Sequence, residues 1–204
     1  MELNRIFSFR EQEDQPRPFL EHLADLRLMI IRMAVVLMVA MIGVFFFRDL
    51  LASLIQRPLL IVDPQRAASL QSLGVADSMT ISLQLSFYAG MVLSFPVLVF
   101  LLARFLFPAL NPAERKILLP VSAFGLLLFL GGVLFSYLVV LPGTLDFFFK
   151  DAKAMHWTPT WTVREYYSFT TQFLIAFGVA FEMPMVVLAL VKLGVLTAAK
   201  LRKT

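Results

Sequence analysis

Four stretches of this chain are long, apolar and almost free of charge, and they dictate most of what it can fold into. They run over residues 28–47, where Arg32 is the only charge, and 79–102, uncharged but interrupted by Pro96. The third, 117–141, is uncharged, with Pro120 in its first turn and Pro142 just past its end. The fourth, 169–191, carries Glu182 and Pro184. A bilayer core of ~30 Å needs about 20 mostly apolar helical residues, so each stretch predicts a transmembrane helix. A single soluble core could not hide this much apolar surface. Residues in AVILMFWYC make up 59% and charged residues 16%, against roughly 45–50% and 25% in soluble domains. The predicted fold class is an all-α integral membrane protein, a polytopic helical bundle with four transmembrane helices.

Several chemistries are excluded by residue type. With no cysteine there can be no disulfide, iron–sulfur cluster, thiolate zinc site or cysteine nucleophile. The two histidines, His22 and His156, are far apart, and neither phosphate-binding glycine loops nor hydrolase signatures occur. No catalytic residue, metal site or cofactor is expected, and the chain does not read as an enzyme. The first apolar run is too long for a cleavable signal peptide, follows an acid-containing tail and lacks a small-x-small cleavage site. A transit peptide would be poor in acids, whereas Glu2, Glu11, Glu13, Asp14, Glu21 and Asp25 precede this run. The start therefore reads as a bacterial-type cytoplasmic tail.

Orientation follows from the basic residues near the helix ends. Arg5, Arg10, Arg17, Arg27 and Arg32, then Arg104, Arg115 and Lys116, then Lys192, Lys200, Arg202 and Lys203 all fall on one side. The other side holds Arg48, Arg57 and Arg66 in one loop and Lys150, Lys153 and Arg164 in the next. Those are matched by Asp49, Asp63 and Asp77, and by Asp146, Asp151 and Glu165. The net charge of +4 thus sits with the termini and reads as topology rather than nucleic-acid binding. The expected layout is a cytoplasmic tail with an interfacial helix over 1–27 and a membrane domain over 28–204. A cytoplasmic loop spans 103–116, and external loops span 48–78 and 142–168. The first external loop opens on a short amphipathic pattern, Asp49 to Ile55, closed by Pro58. The second carries His156, Trp157, Trp161, Tyr166 and Tyr167, aromatics expected at a membrane–water boundary.

Three acids stand out. Before the first span, Phe19, Leu23, Leu26 and Ile30 share one helical face, while Glu21 and Asp25 are i,i+4 neighbours on another. Two like charges at that spacing destabilise an isolated helix, so a cationic partner would suit them. Solvated acids near a helix N-terminus are the plainer reading. Glu114 falls three residues after Asn111, with Pro112 between, and so completes a capping box. It could equally be a cation-binding carboxylate beside the membrane. Glu182 lies about 20 Å into its span at 1.5 Å per residue, where an ionisable group costs at least ~2.5–3.5 kcal/mol on insertion scales. Pro184 leaves the Ala180 carbonyl without its helical donor. Gly178, one turn before Glu182, would open a groove on the same face, and Gly132 with Ser136 forms a small-x-x-x-small pair. On residues alone Glu182 is a functional intramembrane acid or a hydrogen-bonded structural one. The functional reading admits a proton-coupled small transporter, which would call for inverted repeats and a second midplane ionisable group; neither is visible.

The sequence resembles the TatC family, the core membrane subunit of the twin-arginine protein translocase. The matching stretches are Glu21-His22-Leu23-Ala24-Asp25-Leu26-Arg27, Phe105 with Pro108-Ala109-Leu110 and Glu114-Arg115, and Ala176-Phe177-Gly178-Val179-Ala180-Phe181-Glu182-Met183-Pro184. The resemblance implies a receptor in the bacterial cytoplasmic (inner) membrane for folded cargo bearing an Arg-Arg signal peptide. Its signal site would fall on Asp25 and Glu114, with Arg27 and Phe105 nearby. Asp25 stands where the family usually has Glu, and Phe100-Leu101-Leu102-Ala103 replaces a more polar Tyr-Gln-x-Trp pattern. The implied partners are single-span subunits of the TatA and TatB type, further copies of the chain, and membrane lipid, with Glu182 and Pro184 as an intramembrane foothold for a partner helix. Family members have six membrane helices, so a four-helix chain is expected to be a fragment or a natural truncation, active or inactive in assembly.

Overall fold

The computed structural model describes residues 19–63, 70–106 and 112–192. The described chain is a helical bundle: α1 (Phe19–Phe45), α2 (Arg48–Val62), α3 (Asp77–Leu106), α4 (Pro112–Phe135), α5 (Leu141–Ala154) and α6 (Val163–Lys192). A π-helical turn, Ser136–Val140, joins α4 to α5 without a break. Among the described residues four helices are long and apolar enough to cross a bilayer: Leu23–Phe45, Asp77–Leu106, Pro120–Ala154 and Val163–Leu188. Their faces away from the bundle are exposed Leu, Ile, Val, Met and Phe, such as Val35, Met38, Val39, Leu93 and Leu127, as lipid contact requires.

Several helices overrun their sequence-predicted ends, for local reasons. The segment expected as a separate interfacial helix before residue 28 is continuous with α1, because nothing between Phe19 and Phe45 breaks the backbone ladder. Pro142 does not end the third helix. The Leu141 N–H donates to the Ser136 carbonyl across the π turn, and Pro142 falls in the first turn of α5, where a missing N–H is tolerated. Helix therefore continues to Ala154, through half of the segment expected as a loop. Pro58 likewise sits inside α2, which runs on to Val62.

That proline explains how α2 is held. Lacking an N–H, Pro58 cannot bond the Leu54 carbonyl one turn earlier. The Tyr137 hydroxyl donates to that carbonyl instead, at 2.7 Å. Tyr166 donates to the Ile55 carbonyl at 2.7 Å, and Tyr167 to the Ala52 carbonyl at 3.1 Å. Tyr166 and Tyr167 are buried, so they clamp α2 to the bundle. Trp161 packs edge-on to Phe149 at 5.6 Å, while Trp157 is exposed.

The best-packed core lies under α2. Ile55 and Leu59 meet Ile81 and Leu85 from the start of α3, Leu141 and Leu145 of α5, and Tyr166, Tyr167 and Leu174 of α6. Only Phe46 and Phe47 separate α1 from α2. The C-terminal end of α1 and the N-terminal ends of α3 and α6 therefore share the end capped by α2. Each neighbour then runs antiparallel to the next, and α1 starts, α3 ends, α4 starts and α6 ends at the opposite end. The connections before α3 and before α6 are stitched together where Val163 donates to the Gln71 carbonyl at 3.0 Å.

Candidate functional site

The crossing of α1 and α3 sets the level of the sequence-predicted signal-site residues. At Gly90 a Cβ would lie 3.0 Å from the Met41 backbone nitrogen and 3.1 Å from its Cα, so the helices touch backbone to backbone there. From that crossing Asp25 is about 24 Å back along α1 and Phe105 about 22 Å on along α3, at 1.5 Å per residue. Both reach the end opposite α2, where the first turn of α4 carries Glu114. Asp25 and Phe105 are half-buried and Arg27 is exposed. Antiparallel packing thus gathers Asp25, Arg27, Phe105 and Glu114 at one end of the bundle. The Glu114 side chain lies outside the described residues, as does Asn111, so the predicted capping box does too.

Glu182 and Pro184 belong to a different level. Glu182 is about 28 Å from the start of α6 and about 15 Å from its end at 1.5 Å per residue, and α6 continues through Pro184 to Lys192. Its carboxylate faces α4: Oε2 lies 2.9 Å from where a Gly125 Cβ would stand. Gly125 is about 16 Å further along α4 than Glu114, which separates the two acids by that depth. Glu182 Oε1 is buried with no hydrogen-bond partner among the described residues. Pro184 is exposed.

The interface that holds Glu182 is built of two stripes. Gly125, Phe129 and Gly132 recur on one face of α4, Ser136 follows at the start of the π turn, and all four are buried. Gly125 meets Glu182 of α6, Phe129 meets Gly178, and Gly132 meets Phe177 and Phe181. A Cβ at Gly178 would lie 2.8 Å from Phe129 and 2.9 Å from Val133. The groove expected beside Gly178 is therefore filled, because an aromatic ring uses the space that a missing side chain leaves. Phe129 also stacks on Phe95 of α3 at 3.7 Å. The sequence reading missed Gly125 and Tyr137. The signals were present, since Gly125 lies two turns before Gly132 on one face and Pro58 orphans a carbonyl that some donor must meet.

A family model described as Sec-independent protein translocase protein (TatC) matches residues 21–204. The chain belongs to the TatC family. It is 38% identical over 160 residues to a TatC of Akkermansia muciniphila, covering 77% of this chain but 46% of that protein. It is 32% identical to TatCy of Bacillus subtilis and to TatC of Aquifex aeolicus, covering 90% of this chain and 72% and 76% of theirs. Two crystal structures of the twin-arginine translocase receptor TatC, one in DDM, superpose at TM-score 0.80 with 31% identity. They are matched over 89% of this chain and 79% and 80% of theirs. As a TatC chain it is a multi-pass membrane protein and a component of Sec-independent protein translocation. This family favours the translocase reading over the small proton-coupled transporter.

Proposed function

We propose that this chain acts as the receptor subunit of a twin-arginine translocase, holding Arg-Arg signal peptides of folded cargo at the bundle end that carries Asp25 and Glu114. The observation that supports this reading is their convergence with Phe105 and Arg27 at one end. Two guanidinium groups call for separate carboxylates, each accepting charge-assisted and often bidentate bonds. Phe105 offers an apolar surface beside them, and the role is one of binding rather than bond-making chemistry. A synthetic Arg-Arg signal peptide should co-purify with the chain, and a Lys-Lys version should bind more weakly, because an ammonium cannot form the bidentate pair. Equal retention of both peptides would refute recognition by guanidinium geometry.

The same reading places the chain in the bacterial cytoplasmic membrane with both termini inside and the α2 end outside, on the strength of the basic-residue asymmetry. Ser72 is exposed at the α2 end and the chain has no cysteine of its own. A Ser72→Cys variant should therefore react with an impermeant thiol reagent added from outside. Labelling only from the cytoplasmic side would reverse the topology.

Partners of the TatA and TatB type, each with one membrane span, and further copies of the chain complete the proposed assembly. Glu182 is its intramembrane foothold. In hydrocarbon a lone carboxyl seeks a hydrogen-bond donor, and Pro184 leaves the Ala180 carbonyl as a second acceptor on the adjoining turn.

A further inference from the structure

Among the described residues, Glu182 is the one side chain outside the proposed signal site that joins an ionisable group, a buried unpartnered oxygen and a close approach to another helix. Oε1 is enclosed without a hydrogen-bond partner among the described residues. A Cβ at Gly125 would stand 2.9 Å from Oε2, 3.4 Å from Oε1 and 3.6 Å from Cδ. Oε2 thus occupies the space that a side chain at position 125 would need, with the rest of the carboxyl in van der Waals contact behind it.

The neighbouring glycine of the same stripe works differently. A Cβ at Gly132 would meet the Phe177 carbonyl oxygen at 2.8 Å and Phe181 Cβ at 2.9 Å, atoms fixed to the α6 backbone. At Gly125 the obstructed atoms are the far end of a flexible arm. A methyl group there would displace the carboxyl and leave the helices in place. The displaced arm has somewhere to go, because Val179 and Val186, about one turn before and after Glu182, are both exposed.

We propose that Gly125 is a positioning residue for Glu182: its missing side chain leaves a niche on α4 in which the carboxyl is stowed, and the carboxyl reaches a partner helix only by swinging out toward the exposed face at Val179 and Val186. The partner clause rests on the foothold reading above. The partner it fits is an apolar single-span helix with one amide or hydroxyl donor at that depth. Such a donor satisfies an oxygen that has no partner in the niche, and an unsatisfied polar group in hydrocarbon is costly, so the swing is favoured only when the partner is present. Gly125 therefore keeps the carboxyl turned toward α4 in the resting chain.

The test measures where the carboxyl is, independently of docking. The chain in bilayer nanodiscs is labelled with a hydrophobic carbodiimide, which modifies carboxyls exposed to the apolar phase, and Glu182→Gln identifies the label that belongs to this residue. Gly125→Ala should raise Glu182 labelling severalfold with an unchanged melting temperature. Glu182→Asp has an arm one methylene shorter that does not fill the niche, so it should label alike with and without Gly125→Ala. Labelling of Gly125→Ala at or below the wild-type rate would overturn the proposal. So would a rise accompanied by a lowered melting temperature, because loosened packing would then explain it. A second readout, crosslinking from Val186→Cys to the single-span partner, keeps the two readings apart. If labelling rises as expected while crosslinking is the same with Glu, Gln or Ala at position 182, the niche stands and the foothold falls.

Discussion

Replacing Asp25 by Asn and Glu114 by Gln together is expected to abolish measurable binding of an Arg-Arg signal peptide. A hydrogen bond to a charged group contributes about 1.5–3 kcal/mol, so each neutralised acid should cost about tenfold or more in affinity. The two losses should compound, because the acids sit on different helices, α1 and α4, and in the proposed site each serves a different guanidinium group. Choice of substitution matters at Glu114. Alanine would mix binding loss with loss of a cap, typically ~1 kcal/mol, whereas Gln keeps a capping-box partner and removes only the charge. At Asp25 the informative control is Glu, which restores the side chain usual in the family and should bind at least as well as Asp. The measurement is peptide titration against the purified chain, repeated with site-specific crosslinking near Phe105. Unchanged crosslinking in the double variant would take both acids out of the mechanism.

The second large effect concerns stability. Gly132→Ala should lower the melting temperature of the purified protein markedly, and Gly131→Ala should not. The added methyl at Gly132 would sit 2.8 Å from the Phe177 carbonyl and 2.9 Å from Phe181 Cβ, so α4 and α6 must separate to admit it. Forced overpacking costs typically 1–3 kcal/mol. Membrane helices associate largely through close contact at small residues, so few other terms can offset the loss. At Gly131 nothing lies within 4 Å, and alanine there gains up to ~1 kcal/mol of helix propensity. A comparison of these neighbours removes the generic effect of Gly→Ala from the result. Equal melting temperatures would mean that the α4–α6 contact is looser than its geometry implies.

Some features of this protein were set by sequence because the bilayer imposes a one-dimensional rule. A helix must be apolar for about 20 residues to cross, and that can be counted along the chain without knowing any contact. Four spans were legible for this reason, as were the exposed apolar faces that follow from them. Asp25, Glu114 and Glu182 were visible because a charge beside or inside an apolar run is conspicuous, and their family pattern was visible because its residues are contiguous. What happens at prolines was not legible. Pro142 and Pro58 look like helix ends in sequence, but a π turn carries the helix up to the first, and a tyrosine hydroxyl from another helix meets the carbonyl that the second leaves open. Tyr166 and Tyr167 read as boundary aromatics, and their bonds to the α2 carbonyls were not legible. Gly178 promised a groove, yet Phe129 fills it. The niche at Gly125 and the gathering of Asp25, Phe105 and Glu114 at one end exist only through packing. They depend on which helix lies beside which and in which direction it runs, and residues distant along the chain acquire those relations only when the bundle closes.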